Sequence, residues 1–324
     1  MIKVKRIVGT GMALICLMSM LTAPVFGESL KDLGLSESYF NKSDLNKAYP
    51  DGDPRINNDL GALTPEQEQA GKEKSEIATK VINIREKAIK NPQSVTKNDT
   101  EIVQSYINKY FKGQDIKAFI PNITVNKDNS ISVVSSNPGD YQTKFLNLPG
   151  QVQTNNYYCG PATAYAILNG RGINVSQTTM ASRLDTDTDG TNLANFPAAL
   201  NYYSGTNGNY FSYALSYGPG SYSTTWAVNM TNNAISTLLG NYGVVYDVHM
   251  INVSGSARLQ GYETMQAPEI KHYVAGEGFD SSDPSNRICN YYDSNNQKSN
   301  LGDRHMQVSF QTMARLTDDM GIAF

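Results

Sequence analysis

QVQTNNYYCGPATAYAILNGRG, at residues 151–172, is the most informative stretch of the sequence. The run from 162 to 168 predicts a helix that begins near Cys159. Pro161 suits the first turn of that helix, because the N–H that proline lacks would have no intrahelical partner there. Gly170 is the expected end of the helix, since glycine readily takes the left-handed conformation that terminates helices.

This placement gives Cys159 the surroundings of a nucleophile. The first N–H groups of a helix have no intrahelical partner, and the helix dipole is positive at that end. Both effects favour the thiolate, which is the form of cysteine that attacks a carbonyl carbon. Gln153 lies six residues upstream and carries amide N–H groups that can stabilise an oxyanion. We therefore predict a nucleophile at Cys159 and an oxyanion donor at Gln153.

A Gln six positions before a Cys-Gly-Pro that opens a helix resembles the papain-like cysteine peptidases of the bacteriocin-processing (double-glycine) type. The closest likeness is to their secreted, stand-alone branch. In that family the Gln helps to form the oxyanion hole, the Cys attacks, a His on a later strand is the base, and an Asp on the next strand orients the His. The segments KHYVAGEGFD at 271–280 and RICNYYDSNN at 287–296 resemble the His and Asp strands. The resemblance covers the chain from about residue 143 to the C-terminus.

The resemblance implies four site residues: Gln153, Cys159, His272 and Asp293. Asp280 and Asp283 compete with Asp293, but we favour Asp293 because it follows a strand of its own. The family's Asp often precedes a proline, whereas Asp293 precedes Ser294. His249 is a reserve candidate for the base because it ends a predicted strand, and His305 has no such context.

Length and charge restrict the class of protein. The 324 residues are enough for one large or two modest domains. Residues 1–27 predict a signal peptide, with a basic start, an apolar run and a small-residue cleavage pattern. Without that segment 24 Lys and Arg face 30 Asp and Glu, so the formal charge changes from −3 to −6. An acidic protein of this kind is not expected to bind nucleic acid. The signal peptide leads us to expect a secreted protein that is free of the membrane once the signal is removed.

Residues 28–140 predict an N-terminal accessory region or a prosegment. Thr64-Pro65-Glu66-Gln67 is a capping box that opens a helix expected to reach Lys90. A second helix is expected from Asp99 to Lys112, followed by a hairpin from 123 to 134 that turns at 127–129. Residues 135–140 then predict a linker.

Residues 141–324 predict the papain-like cysteine peptidase domain. After the cysteine helix we expect a short helix capped by Ser176, another near 193–203 and a third over 233–239. Strands are expected at 243–250, 272–279 and 288–293. Helices followed by strands indicate an α+β fold, with the cysteine helix packed on an antiparallel sheet.

DTDTDG at 185–190 resembles the start of a calcium-binding EF-hand loop, but the twelfth position is Phe196 instead of the required Glu, and a turn is the better interpretation.

Once the signal is removed, Cys159 and Cys289 are the remaining cysteines. A bridge between them would silence the nucleophile, and we favour a buried strand thiol at Cys289.

The sequence therefore predicts an exported cysteine peptidase that needs no metal or other cofactor and acts on a peptide or protein substrate. One alternative is a peptidoglycan endopeptidase, although such enzymes usually carry Asp-Cys-Ser-Gly where this chain has Tyr-Cys-Gly-Pro at 158–161. The other alternative is a non-catalytic relative that binds peptides. The transporter-fused members of the resembled family cut leader peptides after a double glycine, and that substrate cannot be assumed here.

Overall fold

A computed structural model gives the fold of the protein. It describes residues 64–126, 131–133, 142–298 and 301–324. The predicted signal peptide, the hairpin turn at 127–129 and the linker at 135–140 lie outside the described residues. In the described part of the chain, no helix is both long enough and apolar enough to cross a membrane.

Three α-helices precede the predicted peptidase region in the part of the chain that the structure describes. Helix α1, Pro65–Lys90, begins with the predicted capping box, in which Thr64 and Gln67 exchange side-chain and backbone hydrogen bonds. Helix α2, Lys97–Tyr110, begins two residues earlier than expected because Thr96 forms a second capping box. Helix α3, Ile116–Phe119, was not predicted, and its four residues are too few to show a periodic pattern.

The predicted hairpin is present. Strand β1, Ile123–Val125, pairs antiparallel with β2, Ile131–Val133. It forms a separate two-stranded sheet, away from the main sheet.

The cysteine helix, α4, spans Cys159–Asn169 as predicted. Our expectation of a left-handed Gly170 was wrong, because Gly170 has φ −59° and Gly172 has φ +73°. The N–H of Ile173 reaches the carbonyl of Leu168, and the N–H of Gly172 reaches that of Asn169. These two bonds form a Schellman motif two residues later than expected.

The remaining helices follow the prediction in part. Helix α5, Gln177–Arg183, is capped by Ser176 as expected. A 3-10 turn at Leu193–Asn195 leads into α6, Phe196–Asn201. Helix α7 runs over Thr224–Leu239 and begins nine residues before the predicted start, because the Ser223 side chain accepts the Trp226 N–H. Helix α8, Phe310–Leu316, was not predicted.

The main sheet has seven antiparallel strands in the described residues. In chain order they are β3 Thr143–Phe145, β4 Leu215–Tyr217, β5 Val244–Ile251, β6 Glu269–Asp280, β7 Ile288–Tyr292, β8 His305–Ser309 and β9 Gly321–Ala323. Their order across the sheet is β4-β9-β5-β6-β7-β8, with β3 paired to the far end of β6. Strand β6 is therefore central, and it places His272 opposite Val248 of β5. The mixture of helices and antiparallel sheet is consistent with the predicted α+β class.

The N-terminal helices and the sheet share one hydrophobic core. Phe111, which follows α2, stacks on Tyr242 with ring centroids 5.7 Å apart. Tyr106 of α2 donates a hydrogen bond to the Ser236 hydroxyl of α7 over 3.0 Å. Helices α1 and α2 therefore pack directly against the part of the chain that carries Cys159 and His272.

Candidate active site

Cys159 is the first residue of α4, and its side chain is partly exposed. Gly160 follows it at a point of close packing, since a Cβ there would lie 2.4 Å from the Thr191 hydroxyl. The helix can therefore approach the Thr191 loop only without a side chain at this position. Both Cys159 and Cys289 are unbridged, and Cys289 is buried in β7 as expected.

His272 is buried in β6 and is 4% exposed. Its Nε2 is 2.9 Å from Oδ1 of Asp293. Burial by itself lowers the pKa of His272, but the charge and hydrogen bond of Asp293, followed by those of Cys159, raise the pKa to about 10. Because Asp293 occupies Nε2, the other ring nitrogen, Nδ1, is the one left for the thiol.

Asp293 immediately follows β7, and its carboxylate is fully buried. Oδ1 accepts the Asn295 backbone N–H over 2.8 Å in addition to the His272 contact, and Oδ2 accepts the Tyr262 hydroxyl over 3.0 Å. Burial favours the neutral acid, yet the charge of His272 and these hydrogen bonds hold the pKa of Asp293 below its ordinary value. The pair is therefore an imidazolium and a carboxylate at neutral pH.

A second buried carboxyl lies one strand away, at Asp247 of β5. Burial raises the pKa of Asp247 to about 8, against the smaller lowering effect of a hydrogen bond to Tyr273. Asp247 is therefore mainly neutral at pH 7, whereas Asp293 is ionised. This contrast makes Asp293 the charged partner of His272.

Gln153 lies in the loop before α4 and is 5% exposed. Its backbone N–H donates to the carbonyl of Ser294 over 2.8 Å, which ties this loop to the segment that carries Asp293. Its Nε2 donates to the Asn155 carbonyl over 2.8 Å. An amide nitrogen carries two hydrogens, so the second can serve an oxyanion.

The other two histidines are engaged elsewhere. His249 is held by carboxylates at both ring nitrogens, with Asp319 at 2.7 Å and Glu269 at 3.1 Å. His305 Nδ1 contacts Glu277 at 2.8 Å. Both are therefore bound to carboxylates other than Asp293, whereas His272 contacts Asp293 directly.

The competing aspartates have local partners. Oδ1 of Asp280 accepts the N–H and the hydroxyl of Ser282, and Oδ1 of Asp283 accepts the same two groups of Ser285. Each therefore caps its own turn. The structure brings Asp293, and not these two, to His272.

Residues 185–190 form the turn that we favoured over a calcium loop. Asp187 and Gly190 exchange backbone hydrogen bonds of 3.1 and 3.2 Å, and the Asp187 carboxylate accepts the Asp189 N–H. Across the described ranges, no group of three or more His, Cys, Asp and Glu side chains is arranged to hold a metal ion.

Tyr262 and Asn295 were missed by the sequence reasoning. Tyr262 belongs to the connection between β5 and β6, and it reaches Asp293 from 31 positions away. Neither its spacing nor its neighbours form a motif. Asn295 has a weak signal, because an Asp side chain often accepts the backbone N–H two residues on in an Asx-turn.

A protein-family model described as the Peptidase_C39 like family matches residues 145–316, which is more than half of the chain. The matched range contains Gln153, Cys159, His272 and Asp293, and it indicates a peptidase of the cysteine type. No curated protein matches the chain.

Proposed function

Because the chain belongs to the Peptidase_C39 like family, we propose that it is a cysteine peptidase in which Cys159 is the nucleophile. The observation that carries the proposal is the buried hydrogen bond of 2.9 Å between His272 and Asp293, beside a partly exposed thiol at a helix N-terminus. A nucleophile, a base and a third group that orients the base are the parts that thiol catalysis needs.

In the first step, His272 holds the proton of the Cys159 thiol, and the thiolate attacks the carbonyl carbon of the scissile peptide bond. A C–S bond forms, and the carbonyl oxygen becomes an oxyanion. The free amide hydrogen of Gln153 and the backbone N–H of Cys159 stabilise that charge.

In the second step, the imidazolium of His272 donates its proton to the leaving amine as the C–N bond breaks. Asp293 keeps the ring oriented and favours its charged form throughout. Water then attacks the thioester with His272 as the base, which releases the carboxylic acid and restores the thiol.

The substrate class and the cellular location are parts of the same proposal. The substrate is a peptide or protein, and the protein acts outside the cell after the segment 1–27 has directed export. Export rests on the basic start and apolar run of that segment. A stand-alone peptidase of the bacteriocin-processing type is the corresponding family branch.

A mixed peptide library, analysed by mass spectrometry, tests the function with wild type, Cys159→Ala and Cys289→Ala. We expect cleavage by wild type and by Cys289→Ala, which makes the same substitution at a buried thiol, and no cleavage by Cys159→Ala. Turbidity loss in a cell-wall suspension without library cleavage would favour a peptidoglycan endopeptidase. No cleavage together with no alkylation of Cys159 would favour a non-catalytic peptide binder.

A further inference from the structure

Tyr262 forms a buried cover over the His272–Asp293 pair. Its side chain is fully buried, and its ring centroid lies 6.4 Å from that of the His272 imidazole. The connection that carries it is anchored to the sheet, since the Gln260 N–H donates to the Tyr291 hydroxyl over 3.1 Å. The Lys298 ammonium lies 4.4 Å from the Tyr262 ring centroid.

The hydrogen bonds around Tyr262 determine where its hydroxyl hydrogen points. The side-chain amide of Asn295 donates to the Tyr262 oxygen over 2.8 Å. The single hydroxyl hydrogen of Tyr262 is then directed to Oδ2 of Asp293, 3.0 Å away. Because Oδ1 already receives the His272 ring N–H and the Asn295 backbone N–H, both carboxylate oxygens are fixed by donors.

We propose that Tyr262 is a positioning residue of the peptidase: its hydroxyl, oriented by Asn295, holds Asp293 in the orientation and the ionised form that support His272. This inference rests on the proposed function, because it assigns a role within the same site. Tyr262 has no direct part in the chemistry, since the buried ring reaches Cys159 and the substrate only through Asp293 and His272.

The charge state of Tyr262 suits this role. Burial, followed by the nearby charge of Asp293, raises the pKa of Tyr262 above its ordinary value. The hydroxyl therefore keeps its hydrogen at neutral and mildly alkaline pH. Removing the Tyr262 hydroxyl leaves Oδ2 of Asp293 buried without a donor. A buried carboxylate that loses a donor is protonated more easily.

Proton NMR of the His272 ring N–H tests the proposal without requiring any cleavage. A ring N–H bound to a carboxylate gives a resolved low-field signal, and with three histidines in the chain its assignment follows from its loss in His272→Ala. As the pH is lowered, the signal should disappear when Asp293 is protonated. In Tyr262→Phe, which keeps the ring, we expect disappearance about one pH unit higher than in wild type.

Two variants make the result specific. Asn295→Ala should shift the signal in the same direction by a smaller amount, because the backbone N–H to Asp293 remains. Tyr106→Phe is the control: it removes a hydroxyl that is equally buried but binds Ser236 instead of Asp293. It should leave the signal unchanged. On a cleaved peptide, Tyr262→Phe should lower kcat about tenfold with KM unchanged.

Disappearance of the signal at the wild-type pH in a folded Tyr262→Phe would overturn the positioning role. If that variant does not fold, the Asn295→Ala shift decides in its place. A wild type that cleaves no peptide would instead refute the proposed function, and the NMR result would still report whether Tyr262 controls Asp293.

Discussion

Asp293 is the residue on which the charge of His272 depends. Burial alone lowers the pKa of His272, and the Asp293 carboxylate is the largest influence that raises it to about 10. A pKa raised above the ordinary value means that the imidazolium persists as the pH rises and is lost near pH 10. Cleavage that needs the imidazolium should therefore decline on the alkaline side only near that pH.

Asp293→Asn should move this decline to lower pH. The substitution removes the carboxylate that raises the pKa of His272, while the burial that lowers this pKa remains. At neutral pH we expect kcat to fall by on the order of 10³- to 10⁴-fold, since the amide no longer stabilises the charged ring. The pH profile of kcat for wild type and variant measures both effects. An unchanged alkaline limit would show that Asp293 does not set the His272 charge.

Gln153 is predicted to act on the transition state more than on binding. Gln153→Ala should lower kcat by about 100- to 1,000-fold with little change in KM, because the lost N–H serves the oxyanion. Steady-state kinetics on one peptide suffice, with Gln69→Ala as the control at an exposed glutamine of α1. Equal kinetics in wild type and Gln153→Ala would remove Gln153 from the site.

The sequence reveals the site only where its residues are close along the chain or follow recognisable strands. Gln153 and Cys159 are six residues apart and predict each other, and Asp293 follows an apolar strand. Tyr262 reaches Asp293 only after the loop between two strands folds back over the sheet. No local pattern encodes such a contact, because it depends on the packing of distant elements.

Among the elements, the cysteine helix is closely packed at its first turn. Alanine is favoured over glycine in helices by up to about 1 kcal/mol, but a Cβ at Gly160 would meet Oγ1 and Cβ of Thr191 at 2.4 and 2.7 Å. Gly160→Ala should therefore lower the free energy of unfolding by about 1–3 kcal/mol and displace the neighbouring Cys159.

Thermal unfolding and peptide cleavage check this prediction. Gly302→Ala is the matched control, since a Cβ there meets no atom within 4 Å, and it should change stability by less than about 0.5 kcal/mol. The double variant Gly160→Ala, Thr191→Gly should recover part of the loss, because every close atom belongs to the Thr191 side chain. A stabilised Gly160→Ala would contradict the close packing of α4.

The sequence predicts the side-chain caps of α1 and α5 correctly, but it does not predict the caps of α2, α7 and α8 or the short strands held by distant partners. Thr64 and Ser176 mark the starts of α1 and α5 through side-chain bonds to nearby N–H groups. Strands β4 and β9 have three residues each, and they form because β9 pairs with β4 on one side and with β5 on the other. Three residues carry too little periodicity for recognition before the chain is folded.

At the scale of the whole molecule, Lys74 connects the first helix to the sheet. Its ammonium donates to the carbonyls of Ser212 and Phe324 over 2.7 and 2.5 Å. The rings of Tyr110 and Phe324 lie within 5.3 and 4.8 Å of it. Burial lowers the pKa of Lys74, so its place in the core depends on these partners.

Lys74→Ala should lower the free energy of unfolding by about 3 kcal/mol, because the Ser212 carbonyl loses the Lys74 donor, the Phe324 oxygen keeps only the Ala214 N–H, and a cavity remains. Denaturant unfolding measures the change, and Lys72→Ala, at an exposed position of the same helix, should have almost no effect. Equal stability of the two variants would mean that the Lys74 contacts do not stabilise the protein.

The pairing of Cys159 with His272 is tested most directly by the rate at which iodoacetamide alkylates Cys159 at pH 7 in wild type and in His272→Ala. Peptide mapping separates Cys159 from the buried Cys289. We predict that alkylation is at least about tenfold faster in wild type, because the His272 imidazole takes up the proton that the thiol must lose in order to react. Equal rates for the two proteins would contradict the pairing and the peptidase mechanism built on it.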